Sequence, residues 1–422
     1  MKDFILDKFF EIERWKYAIK KGIVKRIDRA VLYKLCNPDV RAGLYLAIKN
    51  GEYAIKPPHT AEIPKKDSDE KRTVFVNEPD DRVILSIAND LLFELMAHRI
   101  HPACLSYQKG VGCGKIVTRV SEILVNAPDG FIGFKSDLSK YFDSVPIRFI
   151  DSEFDAIEAK YGHSALIDML REYYHNNIYF DTNKNVAEKY QSLKQGCAVA
   201  SYLADCVLYD TDAILSRQNG SYWRYSDDML YLGEDYENVM QTLQSNLAEK
   251  EIKLNPKKVE YLSKDKWFRF LGFSIKGDKR TLSKDWLKNF ISEIKHRTIR
   301  KKGCTKQQAI NSIMRYLYVG DGEHSPALQM LPYVNCENDL HILNNFMLDC
   351  IRACETGKKK IGGVGYVTYL KDGCFLRSKG RNVKANKQKT EKDVEGFYSL
   401  VCMQNLLRTS RDAYDTLVLS LK

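Results

Sequence analysis

Two adjacent carboxylates, Asp227 and Asp228, stand in the stretch RYSDDMLYLG (224–233), between an aromatic flank and an apolar run. Like charges placed side by side at the head of Met229-Leu230-Tyr231-Leu232 are unfavourable unless something positive answers them. The flanking residues favour strands and Asp is common in turns, so the stretch predicts a β-hairpin with the acids at its turn. Such a turn can hold paired carboxylates rigidly enough to ligate metal. Ninety residues before Asp227, GFIGFKSDLSKYFDSVP reads as a strand ending near Asp137, a turn, and a helix from near Pro146. Carboxylates ~4 Å apart repel by roughly 4 kcal/mol at an effective dielectric near 20. A cluster of three therefore calls for counter-charge, and one Asp at a strand end beside two at a neighbouring hairpin would gather it.

The rest of the chain bounds the setting. At 422 residues two or three subdomains are expected. Hydrophobic content of 44% with 29% charged residues describes a globular protein rather than a disordered one. No apolar run approaches the ~20 residues that span a bilayer. The start, MKDFILDKFFEIERWKYAIKK, intersperses acids with bases and reads as an amphipathic helix rather than a signal peptide. Eleven cysteines are scattered without a Cys-x-x-Cys pair, against zinc or a disulfide scaffold and for a reducing cytoplasm. Cys350 and Cys354 read as core thiols of a helix. Between Lys284 and Lys389 there are 20 Lys/Arg against 9 Asp/Glu, a surplus of 11 that equals the net charge of the whole chain. Positive charge so localised suits a polyanion, nucleic acid before membrane.

Along the chain, the first 60 residues read as helices that stop at IKPPHT, and AEIPKKDSDEKRTVFVNEP as a hairpin whose second strand is Thr73–Val76. Residues 80–100 carry apolar positions at helical spacing. SYQKGVGCGK is a Gly-rich loop before another helix. Residues 150–175 look helical, QGCAVASYLADCVLYDTDAIL opens with a Gly loop and becomes a helix, and another helix covers 237–250. FRFLGFSI is a strand pair, and from Leu282 onward the pattern is helical and basic, with a Gly-rich break at GKKKIGGVGYV. This order suits an α+β sheet with helices on one face. Template-copying polymerases need a deprotonated 3′-hydroxyl and a neutralised triphosphate, which two Mg²⁺ ions held by carboxylates provide.

Several motifs, in order, now resemble those of reverse transcriptases. DLSKYFDSVP resembles the first motif of the family's palm, and the Gln195-Gly196 pair, followed by a helix containing Ala204, resembles the second. YSDD (225–228) resembles the Tyr-x-Asp-Asp box, and LNPKKV (254–259) and FLGF (270–273) the two motifs after it. Upstream, IPKKD…KRTVFV…PDDRV and SYQKG resemble the fingers motifs of bacterial and group II intron enzymes. There are departures: Ala200 stands where the family usually has Ser, Lys194 where a Pro often precedes Gln-Gly, and SYQKGVGCGK lacks the usual Arg-Pro.

The resemblance implies a right-hand polymerase fold: N-terminal helices and fingers over 1–126, and a palm over 127–281 with a fingers insertion around 150–192. A helical thumb with a basic C-terminal extension would cover 282–422. It implies Asp137, Asp227 and Asp228 as catalytic metal ligands, with Leu138 beside them, for two Mg²⁺ ions that Mn²⁺ can replace. Nucleotide contacts would come from Lys65 and Arg72 on the triphosphate, Phe142 as a gate under the sugar, Gln195, Gly196, and Lys258 near departing pyrophosphate. Asp143 reads as a helix cap. The basic half would grip RNA through Lys295, Arg297, Arg300, Lys301 and Lys302 and through Lys358, Lys359, Lys360, Tyr366, Arg377 and Arg381. No second carboxylate constellation suggests RNase H or integrase, and no His/Cys finger an intron-type endonuclease. The chain looks most like stand-alone defence-associated reverse transcriptases of the unknown group, type 2 foremost, cytoplasmic enzymes that copy a structured noncoding RNA into cDNA from deoxynucleoside triphosphates. Retron and group II intron-type enzymes, an RNA-dependent RNA polymerase and a catalytically silent RNA-binding scaffold stay open as alternatives.

Overall fold

The computed structural model describes residues 2–64, 71–107, 112–189, 192–320, 325–357 and 394–421, with two short strands between the last two segments. The strands, in chain order, are β1 (His59–Pro64), β2 (Lys71–Val76), β3 (Gly133–Asp137), β4 (Ile178–Phe180), β5 (Val186–Glu188), β6 (Ser221–Tyr225), β7 (Asp228–Leu232), β8 (Glu260–Leu262), β9 (Phe268–Phe270), β10 (Phe273–Lys276), β11 (Lys279–Leu282), β12 (Val367–Tyr369) and β13 (Leu376–Ser378). The chain divides into two compact units, Met1–Lys109 with Ile132–Tyr261, and Gly110–Phe131 with Leu262–Lys422.

In the first unit one sheet has the order β6-β7-β3-β8. β7 lies between two strands, and Met229, Leu230, Tyr231 and Leu232 are all buried. That is why the stretch reads as an unbroken apolar run rather than an alternating one, since both faces are covered. β3 approaches β7 so closely at Gly133 that an added Cβ would lie 2.1 Å from the Tyr231 carbonyl oxygen, which only glycine avoids. Helices Tyr236–Glu249 and Tyr209–Ser216 pack on β3 and β6 respectively. The core gathers Ile84, Leu91, Phe134, Phe154, Tyr202 and Met229 in one cluster.

The second sheet of this unit, β2-β1-β4-β5, holds the hairpin predicted upstream, two residues longer in its second strand. β4 and β5 had no sequence signal, because strands of three residues are too short to show a period. The helical pattern over 150–175 is in fact two helices, Ile147–Tyr161 and Ala165–His175. They break at Gly162, with φ 86°, and the second starts where Ser164 Oγ accepts from the Leu166 amide.

The second unit contains the antiparallel sheet β9-β10-β11. FRFLGFSI gives its first two strands, and β11 returns through a tight turn containing Gly277. Helix Cys113–Val125 packs on β10 and β11. Helices Lys284–Arg297, Lys306–Met314, Pro326–Met330, Glu337–Thr356, Leu400–Thr409 and Arg411–Ser420 follow, the second running on as a π-helix, Arg315–Val319, and β12 pairs with β13. No helix among the described residues is long and apolar enough to cross a membrane.

Candidate active site

The β6–β7 register pairs Tyr225 with Asp228 and leaves Ser226 and Asp227 as a two-residue turn. Ser226 has φ 56°, the sign a type II′ turn needs at its first position, and a residue with a Cβ is strained there. Neighbours hold it: its amide donates to Ser106 Oγ at 2.8 Å, and its carbonyl accepts from Arg224 Nη1 at 3.1 Å. On the other side of β7, the last residue of β3, Asp137, stands directly opposite Asp228. Cross-strand partners share a face with Cβ atoms about 5 Å apart, so these like charges repel. The Leu138 amide donates to the Asp227 carbonyl at 3.2 Å and closes the turn onto the end of β3. Asp137, Leu138, Asp227 and Asp228 thus meet at one end of the sheet.

Burial, reinforced by Asp137 and then Asp228, pushes the Asp227 carboxyl up to about 6. Two lysines answer the cluster. Lys258 Nζ lies 2.7 Å from Asp137 Oδ2, and Lys135 Nζ 3.5 Å from Asp228 Oδ1. Lys258 is brought there because residues 253–258 run along the end of β3. Asn255 N donates to the Asp137 carbonyl at 2.8 Å, Ser139 N to the Lys253 carbonyl at 2.7 Å, and the Asn255 side chain caps the turn Pro256–Lys258. Lys135 is absent from the set read in the sequence. Its signal is position: two residues before Asp137 on a strand, it shares that residue's face.

The donor set suits a hard divalent cation such as Mg²⁺, three carboxylates with more negative charge than their surroundings neutralise. Among the described residues, Glu158, His163 and Asp168 are the one group of potential ligands lying within 4.8 Å of one another. There Glu158 is already paired with Arg171, at 2.9 Å. The three strand-end acids are less tightly gathered, as like charges drawn toward lysines should be.

A second acidic pair lies under the turn, with no local pattern that announces it. Asp205 and Asp212, from consecutive helices, are fully buried with the Arg224 guanidinium. Arg224 donates from Nη2 to Asp212 Oδ2 at 2.6 Å and from Nε to Asp212 Oδ1 at 2.7 Å. Ser106 Oγ donates to Asp205 Oδ1 at 2.7 Å, and burial raises the Asp205 carboxyl to about 6. The Arg224 backbone also bonds to Ala103 and Leu105, each at 2.8 Å. The residue before the Tyr-Ser-Asp-Asp string is therefore the post on which the hairpin stands.

The residues assigned to nucleotide binding are partly assembled. Phe142 is half-buried on the core and helps line a recess with Phe75, Asp143, Tyr179, Lys189 and Lys194. Asp143 does not cap a helix; its carboxylate pairs with Lys189. The Gln195 carbonyl accepts from the Phe75 amide of β2 at 2.7 Å, and Gly196, with φ 109°, packs against the same residue. Arg72 is exposed on β2 opposite Ile63, and Lys65 lies outside the described residues.

In the second unit, Lys295 and Arg297 belong to the last turn of helix Lys284–Arg297, while Arg300, Lys301 and Lys302 follow it. Arg297 is braced by Glu293 at 2.6 Å and by the Tyr316 ring, 4.6 Å away. With Lys301 and Arg315 it lines a polar recess completed by Gln308, Asn311 and Ser312. Lys358, Lys359, Lys360, Tyr366 and Arg381 lie outside the described residues, and of Arg377 only the backbone, in β13, is described.

A sheet with an acid at a strand end, two acids at the adjoining hairpin turn and lysines beside them is suited to nucleotidyl transfer, the reaction of a template-copying polymerase. The family model for reverse transcriptase (RNA-dependent DNA polymerase) matches residues 63–275, just over half of the chain, and the chain belongs to that family. No curated protein matches it. The chain is an RNA-directed DNA polymerase, and its family copies RNA from deoxynucleoside triphosphates.

Proposed function

We propose that this polymerase copies a structured partner noncoding RNA into cDNA by two-metal nucleotidyl transfer, in the manner of stand-alone defence-associated reverse transcriptases. The observation that carries the chemistry is the register of Asp137 on Asp228 with Asp227 at the turn between β6 and β7. Asp137, Asp227 and Asp228, with Leu138, would hold two Mg²⁺ ions, which when bound activate the primer hydroxyl and neutralise the triphosphate. In this reading the β6-β7-β3-β8 sheet is the palm, the β2-β1-β4-β5 sheet belongs to the fingers, and the helices after Ser283 form the thumb. Lys258 balances Asp137 before substrate arrives and is close enough to share in the phosphate charge afterwards. Phe142 lies under the incoming sugar and bars a 2′-hydroxyl, while Gln195 and Gly196 seat the nucleotide and Lys65 and Arg72 hold its triphosphate. The basic surplus of 284–389 supports a grip on RNA phosphates, with Lys295, Arg297, Arg300, Lys301 and Lys302 on its described part.

Sequencing the nucleic acid that copurifies with the protein tests the partner and the product together. One structured RNA with DNA complementary to it is expected. A mixture of unrelated cellular RNAs without complementary DNA would end the partner-RNA reading. Phe142→Ala should raise ribonucleotide use relative to deoxyribonucleotides; a variant with unchanged sugar preference removes Phe142 from the gate.

A further inference from the structure

Residues 194–197 form a β-turn, closed by the Cys197 amide donating to the Lys194 carbonyl at 3.0 Å. Gln195 and Gly196 are its two central residues, and the positive φ of Gly196 is what a type II turn requires at its second central position. The turn is pressed onto β2: besides the Phe75–Gln195 bond, a Cβ at Gly196 would come within 2.5 Å of the Phe75 carbonyl oxygen. The turn is therefore seated closely against Phe75, and a second contact fixes it.

What holds it is Lys194. The residue is itself left-handed, at φ 52°, and only 8% exposed. Its ammonium donates to the Tyr173 carbonyl at 2.7 Å and to the Tyr174 carbonyl at 3.1 Å. These are last-turn carbonyls of helix Ala165–His175, which have no partner within the helix and carry the negative end of its dipole. The Tyr173 and Tyr174 rings cover the same ammonium, with centroids 4.7 and 5.3 Å away. Burial lowers the Lys194 amine to about 8, so the site retains a cation that its surroundings otherwise disfavour. Lys194 also lines the recess that Phe142 lines.

We propose that Lys194 is a positioning residue for the incoming nucleotide: its side chain ties the Lys194–Cys197 turn to the C-terminus of helix Ala165–His175 and so keeps Gln195 and Gly196 docked on β2. The inference rests on the reading of Gln195 and Gly196 as nucleotide contacts. It requires the tether to act on nucleotide binding, separately from template binding and from chemistry.

The test is steady-state incorporation on a defined primer–template by folded Lys194→Met, Lys194→Arg and Gln195→Ala enzymes. Lys194→Met should raise the nucleotide KM about tenfold, the equivalent of one well-made hydrogen bond. The primer–template KM and kcat should stay within about twofold of wild type. Lys194→Arg, which keeps several N–H donors on a cation, should recover most of the loss. A nucleotide KM unchanged in folded Lys194→Met overturns the proposal, and so does a loss that falls on kcat alone. Gln195→Ala separates this failure from that of the underlying reading. If Gln195→Ala raises the nucleotide KM and Lys194→Met does not, Lys194 does not position; if neither does, the turn does not seat the nucleotide and the inference falls with it. Should Lys194→Met fail to melt cooperatively, Lys194→Gln, which keeps N–H donors but neither the charge nor the full reach to the Tyr173 and Tyr174 carbonyls, is measured in its place. A raised nucleotide KM then supports the proposal and an unchanged one overturns it.

Discussion

Two acidic clusters flank the turn at Ser226, and they are built in opposite ways. Asp205 and Asp212 are sealed from solvent with one guanidinium, Arg224, whose hydrogen bonds are fixed by the helices and by β6. Asp137, Asp227 and Asp228 lie at strand ends, and of the two lysines that answer them Lys135 stands on β3 itself while Lys258 comes from the loop before β8 with its side chain 57% exposed. A sealed pair cannot exchange its counter-charge. An open cluster can give up a lysine for a metal ion or a triphosphate, at little loss to the fold. The acids of this region are thus sorted into sealed and open ones by what covers them and not by their chemistry, which is identical.

The sharpest way to break this contrast is to empty the open cluster. Asp227→Ala with Asp228→Ala is expected to abolish Mg²⁺-dependent DNA synthesis on RNA while leaving the melting temperature equal or higher, because like-charge repulsion is removed. A double variant that still incorporates nucleotides at the wild-type rate would show that the open acids are not the reactive ones. Asp212→Ala should do the reverse. Leaving Arg224 buried without its main partner costs about 3–5 kcal/mol, read as a shift in the urea midpoint, and activity should fall only as far as folded protein is lost. A midpoint that does not move would mean the network does not hold the hairpin.

The pH response sharpens the comparison. The Asp227 carboxyl, raised to about 6, keeps its proton in the folded state over an interval in which the unfolded chain has already released it. This group's contribution to the stability of the metal-free protein is therefore fully present below the ordinary Asp range and is lost as pH rises through about 6. Carboxyl-carbon NMR of the metal-free protein should show Asp227 titrating near 6, and Asp137→Asn should lower that value by removing a neighbouring charge. An unshifted titration in Asp137→Asn would uncouple the strand end from the turn. The smallest effect is expected at Lys258. Its half-exposed pair with Asp137 is worth under about 1 kcal/mol, so Lys258→Ala should barely change the melting temperature, and added salt should shrink even that change. A large destabilisation would place Lys258 with Arg224 among the structural cations.

The strand-end acids were visible in the sequence because their signals are local. Asp227-Asp228 ahead of an apolar run and Asp137 at a strand end each announce a secondary-structure boundary, and Pro79 marks a helix end in the same direct way. The register of β3 on β7 then puts Asp137 opposite Asp228, and the close approach of Gly133 to Tyr231 fits that register. The sequence also carried the positive surplus of 284–389, though not what its side chains touch. What it could not carry were interactions between groups distant along the chain. Arg224 looks like any strand-flanking arginine until two helices bring Asp205 and Asp212 to it. Lys194 looks like a surface lysine until the end of helix Ala165–His175 closes over its ammonium. β4 and β5 are too short to show a period; they pair with each other, and β4 joins the sheet beside β1. Local pattern decided where the carboxylates stand; only tertiary packing decided which charges are sealed and which stay open, because burial is a property of neighbours that no short stretch of sequence contains.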